Sequence, residues 1–177
     1  AHEISIAEQK LLEKGILDEE ELKEFCEVHL KAVKQKTEQL KSDLPDAHPI
    51  KTLVLEHDEI LDYLDQLEKI IDSLENSEIE EEDMEKLEHI AHHLVEAEKH
   101  HEREEEVIFP RLEDKGIDGP TRIMRADHDE YWPLKKEFKE LVSKSSPSKL
   151  ENKQRIIEIS KTLVYGLRDH IFKENNI

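Results

Sequence analysis

From Pro49 onward, apolar residues recur every three or four positions. Leu53, Ile60, Leu61, Leu64, Leu67, Ile71 and Leu74 share one stripe, which predicts a helix with a single buried face through about residue 75. ENSE at 75–78 interrupts it as a turn. The helical period resumes from about residue 80 to 114, is disturbed at Phe109-Pro110, and stops at Gly116. Gly119-Pro120 opens a third helix to about 143, with Pro133 as an expected kink. SKSSPS at 143–148 is a polar loop, and Ser148 is placed to cap a last helix at 149–175. Four long helices with short connections predict an all-α, up-down four-helix bundle. Two further helices precede it: ISIAEQKLLEKG (4–15), ending at Gly15, and residues 18–42, where Asp18 and Glu21 have capping-box spacing. SDLPDAHP at 42–49 holds two prolines and marks a boundary. The expected organisation is an N-terminal helical segment, 1–45, followed by the bundle, 46–177.

Composition narrows the functional classes. The 177 residues are 40% charged, carry only 4 glycines and have a formal charge of −19. That charge repels phosphate backbones and anionic membranes, so neither nucleic acid nor membrane is expected as a partner. No stretch approaches the roughly 18–20 apolar residues a membrane span needs, and AHEISIAEQKLLEKG lacks the form of a signal peptide. The single cysteine, Cys26, permits no intramolecular disulfide, and a cytoplasmic setting is expected. The anomaly is 11 histidines, several of them clustered.

The histidines repeat in register. EHDEILDYL (56–64) on the first bundle helix parallels DHDEYWPLK (127–135) on the third. HHEREEEVIFP (100–110) on the second and HIFKENNI (170–177) on the fourth each carry His-x-x-x-Glu. His57 to His100 is 43 residues, and His128 to His170 is 42. One helical hairpin is used twice, each copy giving a lone histidine and then a His-Glu pair.

Residues four apart stack on one helix face. His100 with Glu104, and His170 with Glu174, can each present an imidazole and a carboxylate to the bundle axis, and His57 and His128 complete the set. Imidazole suits iron, zinc, copper or nickel, and a carboxylate can bridge two ions. Four nitrogens and two carboxylates do not saturate two six-coordinate ions, which leaves room for a small ligand. Geometry alone leaves one choice open: His101 and Glu105 are also a turn apart. The apolar direction set by Ile90, Leu94, Ala97, Val107 and Ile108 falls between the two pairs.

The other histidines read differently. His89 and His93 share the face of His100 but lie roughly 16 and 10 Å along the axis, as pocket wall or surface. His92 is expected in solvent, His48 in an N-terminal turn, and His101 behind the ligands or in interhelical packing. Cys26 and His29 share a face, most simply as half-buried packing. Tyr131 and Trp132 either line the pocket or pack as core aromatics.

These motifs resemble the hemerythrin-like, or HHE cation-binding, family. The resemblance covers about residues 48–177 and rests on Glu56-His57, on His100 to Glu104 closing on Phe109-Pro110, on Asp127-His128, and on His170 to Glu174 with Asn175-Asn176. It selects His100 over His101, because the family's ligand histidine lies nine residues before the phenylalanine. It implies a non-haem di-iron centre held by His57, His100, His128 and His170, bridged by Glu104 and Glu174, with zinc or manganese as alternative ions. The resemblance also implies a small diatomic ligand, oxygen or nitric oxide. The first 45 residues resemble a helical segment found in a subfamily often continued by a C-terminal PAS sensor domain. The family pattern runs past Asn-Asn with an apolar ending, so a longer protein is expected.

Two departures matter. The positions a turn before and after His128 are Met124 and Trp132, where the oxygen-carrying branch has a second histidine, and the fourth helix has Glu174 in place of that branch's later aspartate. Reversible oxygen transport is therefore not expected. The leading expectation is a sensor of oxygen, nitric oxide, or redox or iron state, and a homodimer is a further possibility. The alternatives are a di-iron oxidase, a peroxide- or nitric-oxide-consuming enzyme, an iron–sulfur repair protein, or a bundle that the metal only stabilises.

Overall fold

A computed structural model describes residues 38–39, 41–76, 81–145 and 152–175. Apart from helical residues at 38–39 and 41–43, the expected helices upstream, with Cys26 and His29, lie outside the described residues. The described elements are α1 (Pro49–Asn76), α2 (Glu81–Glu96), α3 (Glu98–Arg103), a π-helical turn (Glu104–Ile108), α4 (Phe109–Glu113), α5 (Gly119–Ser143) and α6 (Lys153–Glu174). No helix among the described residues is long and apolar enough to cross a membrane.

The chain divides into two compact units, one running from Glu56 to Ile171 and the other comprising the residues on either side of it. In the latter, Pro49 occupies the first helical position of α1, where its missing N–H costs no hydrogen bond. His48 sits just ahead, accepting the Ile50 N–H on Nδ1 at 3.2 Å, so it is a turn residue as expected. Lys51 reaches back to Asp46 at 2.8 Å and fastens the turn.

In the unit Glu56–Ile171, contacts between helices close a ring. Tyr63 of α1 stacks on His93 of α2. Lys139 of α5 donates to His92 of α2. Arg155 of α6 holds Glu137 of α5 through two bonds of 2.8 Å. Lys161 and Arg168 of α6 return to Glu75 and Asp65 of α1. Along each interface, rising residue numbers on one helix meet falling numbers on the next. His57 and Tyr63 meet His100 and His93, His92 and Glu105 meet Lys139 and His128, His128 and Glu137 meet His170 and Arg155, and Asp65 and Glu75 meet Arg168 and Lys161. All neighbours are therefore antiparallel. This is the predicted up-down bundle.

The predicted stripe is the core: Ile60, Leu64, Leu67, Ile71 and Leu74 are buried, with Leu61 packed at the edge. Leu87, Ile90, Leu94, Phe138, Val142, Ile156, Leu163 and Leu167 face them. Each contributes about 1.5–3 kcal/mol by leaving water. That apolar length carries the stability and tolerates a polar layer at the end where α6 finishes. There His57, His100, His101, Glu104, His128 and His170 are all buried.

The second predicted helix is the one that differs in detail. It breaks at Ala97, and a π-helical turn precedes Pro110, with the Phe109 N–H donating to the Glu104 carbonyl. Pro110 has no N–H, and its ring crowds the carbonyl a turn back, so the wider turn relieves both problems. A π turn inserts one residue. Phe109 is thereby buried at 2% exposure, while Val107 stands 42% exposed. α4 ends at Glu113, and the turn that follows it closes at Gly116, whose φ of 81° suits glycine.

Candidate metal centre

Two imidazole pairs form the centre. His57 and His100, from α1 and α3, bring their Nε2 atoms to 2.9 Å. His128 and His170, from α5 and α6, do the same at 2.9 Å. Glu104 lies between the pairs. One of its oxygens is 3.4 Å from His100 Nε2 and 4.0 Å from His57 Nε2, and the other is 3.8 Å from His128 Nε2. A carboxylate so placed can offer one oxygen to each of two cations.

The tautomers follow from what lies behind the rings. His100 Nδ1 meets Glu56 at 2.8 Å, His128 Nδ1 meets Glu105 at 2.6 Å, and His170 Nδ1 meets Asp127 at 3.1 Å. An ionised carboxylate only accepts, so each Nδ1 carries the proton and each Nε2 is left with a bare lone pair. For His128 and His170 this sets two lone pairs face to face at 2.9 Å in a buried place. That arrangement is repulsive unless a proton or a cation lies between them. Two nitrogens about 2.05 Å from one ion at a right angle are about 2.9 Å apart, so the donor set fits a cation of six-coordinate habit. Backing each ligand imidazole with a carboxylate is how metal sites fix ring orientation.

The backing carboxylates are themselves held. Arg103 binds both oxygens of Glu56 at 2.5 Å, and Arg125 reaches Glu105 at 3.2 Å. Burial pushes the Glu56 carboxyl up, but hydrogen bonds from His100 and Arg103 and their charges outweigh it, leaving Glu56 below the ordinary carboxylate range.

Within the unit Glu56–Ile171 the structure brings together all the sequence candidates it contains: His57, His100, Glu104, His128 and His170. The sixth, Glu174, is the last residue of α6, a turn beyond His170, and is half-buried. It falls outside the unit Glu56–Ile171.

The open choice between His100/Glu104 and His101/Glu105 has an instructive outcome, because both pairs are used. Glu105 backs His128, and His101 lies face to face on the His128 ring, centroids 4.0 Å apart and planes 5° from parallel. A ring nitrogen of His101 lies within 4.8 Å of those of His128 and His170. Yet stacked rings direct their lone pairs along parallel planes, not to one point. The Lys135 ammonium and a Glu98 oxygen each lie 3.4 Å from His101 Nδ1, which ties that nitrogen into their charged network. His101 therefore packs His128 in place.

Lys135, 1% exposed, went unremarked in the sequence, as did the backing roles of Glu56, Glu105 and Asp127. It shares a charged network with Glu98, 3.6 Å away. A signal existed: His128, Tyr131, Lys135, Phe138 and Val142 follow the inward period of α5, so a lysine stood on a buried stripe. Tyr131 is buried with its ring 6.3 Å from that of His170, whereas half-buried Trp132 faces Lys136 instead.

Residues 48–177 match the hemerythrin HHE cation binding domain, and residues 1–39 match a family of unknown function, DUF438. No curated protein and no solved structure matches the chain. With the imidazole pairs, the intervening carboxylate and most of the chain inside that first match, this protein belongs to the hemerythrin HHE cation-binding family.

Proposed function

We propose that this protein holds two iron ions and uses them to sense a small ligand, oxygen or nitric oxide, or the redox or iron state of its surroundings. The observation that carries the proposal is the pair of Nε2–Nε2 approaches at 2.9 Å with Glu104 between them. His57 and His100 would hold one ion and His128 and His170 the other, with Glu104 and Glu174 supplying the carboxylates. The place of Glu174 is supported by its spacing of one turn from His170, which mirrors Glu104 after His100. Imidazole and carboxylate donors suit iron, and zinc and manganese share that chemistry.

When bound, such a centre supplies open coordination positions and a change of valence. The chain's own residues do the rest. Glu56, Glu105 and Asp127 keep protons on the outer ring nitrogens. Phe109 and Tyr131 exclude water from around the imidazoles. A ligand that favours one arrangement of the helices shifts their population. The separate match at residues 1–39 supports a segment distinct from the bundle; in this reading that segment receives the signal, and a C-terminal PAS domain in a longer chain and pairing of two chains suit the same role.

Metal analysis with an absorption spectrum tests this reading. Protein purified in air is expected to carry about two irons per chain, with near-ultraviolet charge-transfer bands that change on reduction. Colourless protein containing zinc alone would reject it. Rapid steady consumption of peroxide, oxygen or nitric oxide would make the protein an enzyme.

A further inference from the structure

Among the described residues, Lys135 is the one lysine or arginine that is buried. Arg103 and Arg125, which hold the backing carboxylates, are exposed and half-buried, so water screens their charges. Lys135 stands two turns beyond His128 on α5, about 10 Å along the axis, and helical side chains lean toward the N-terminus, so its stem runs back toward the centre. Its Nζ ends 3.4 Å from His101 Nδ1. The His101 ring lies flat on that of His128, and one of its nitrogens is within 4.8 Å of those of His128 and His170. One imidazole thus separates the ammonium from two of the candidate ligands. The carboxylate of Glu98 is 3.6 Å from the same Nζ, on a side chain that keeps 20% exposure. Water weakens the field of that carboxylate more than the field of the ammonium, so the two charges do not cancel at the centre.

We propose that Lys135 is a specificity-determining residue of the centre: its charge favours small anions over neutral molecules as ligands of the bound ions, and Glu98 moderates that preference. The inference rests on the reading that cations fill the interior site, whichever metal they are. Lys135 acts through space, across His101, in an interior where a charge is felt over several ångströms. A lysine that only packs and a lysine that sets the charge predict different outcomes. Lost packing at either member of the pair loosens His101 and weakens ligand binding in both cases. Lost charge moves binding in opposite directions, down without the ammonium and up without the carboxylate.

The test loads the full chain with Co2+, whose visible bands report a change of ligand, and titrates it with azide. The wild type is expected to bind azide with a shift of those bands. Lys135→Met and Lys135→Gln should each weaken azide about tenfold, and Glu98→Gln should tighten it by a smaller factor. The double variant Glu98→Gln/Lys135→Met should lie between the two single ones. Circular dichroism and cobalt content check that each variant is folded and filled. Wild-type bands indifferent to azide, an unchanged affinity in both lysine variants, or a weakening in Glu98→Gln as well would overturn the proposal. Native protein devoid of iron would reject the iron reading alone, because cobalt supplies the ions for this test.

Discussion

His101, Glu98 and Lys135 show how a buried charge acts near the centre without touching a metal. Lys135 is nearly inaccessible, whereas the Glu98 side chain keeps 20% exposure. Removing the lysine leaves a carboxylate with one buried oxygen on a side chain that is still partly exposed, whereas removing the carboxylate's charge leaves a fully buried ammonium. Glu98→Gln is therefore expected to cost more, about 3 kcal/mol against about 1–2 kcal/mol for Lys135→Met, in chemical denaturation of the metal-free protein. Equal losses would reject this account of the network. Gly166 is a second sensitive position: a Cβ there would stand 2.6 Å from the Tyr131 ring. Because that ring is buried, Gly166→Ala should displace it and cost about 1–3 kcal/mol. Glu104→Gln, by contrast, keeps the shape and removes a donor shared between the pairs. Metal content per chain should fall while the helical signal persists.

Among the elements, the π turn did most to obscure the sequence. On an ideal helix Val107 and Ile108 help to set the inward direction, yet the extra residue swings Val107 out and Phe109 in. A wheel drawn at constant pitch therefore pointed between two histidine pairs. Deleting Glu106, an exposed residue of the wide turn, should let the helix close with an ordinary pitch and keep Phe109 inward. The variant is expected to fold and retain most of its metal, whereas deleting Leu94 from regular α2 should abolish both. Metal analysis after purification compares them, and equal loss in the two variants would refute the inserted-residue interpretation. The remaining elements followed their stripes closely. α1 and α5 end within about one residue of the predicted limits, because a proline or glycine opens each and a polar turn closes it.

For the molecule as a whole, burying facing nitrogen lone pairs is tolerable only with a positive charge between them. Metal removal should therefore lower the melting temperature. At a free metal concentration a hundredfold above Kd, binding to the folded state alone stabilises by about 2.7 kcal/mol, or roughly 5–10 °C for a chain of this size. Calorimetry with and without a chelator measures it, and an unchanged melting temperature would argue against a cation at the centre.

The division between what was legible in the chain and what was not follows from the range of the interactions. Helix limits, the inward stripes and the duplicated histidine spacing are local, since they depend on residues three or four apart, and the sequence carries them directly. The partners of each imidazole are not local. Glu56 serves His100, Asp127 serves His170 and Glu105 serves His128, each across a helix boundary. Which nitrogen holds the proton, why His101 stacks while its neighbour faces His57, and where Lys135 finds a carboxylate all depend on helices meeting in space. Those contacts arise only once the bundle has closed.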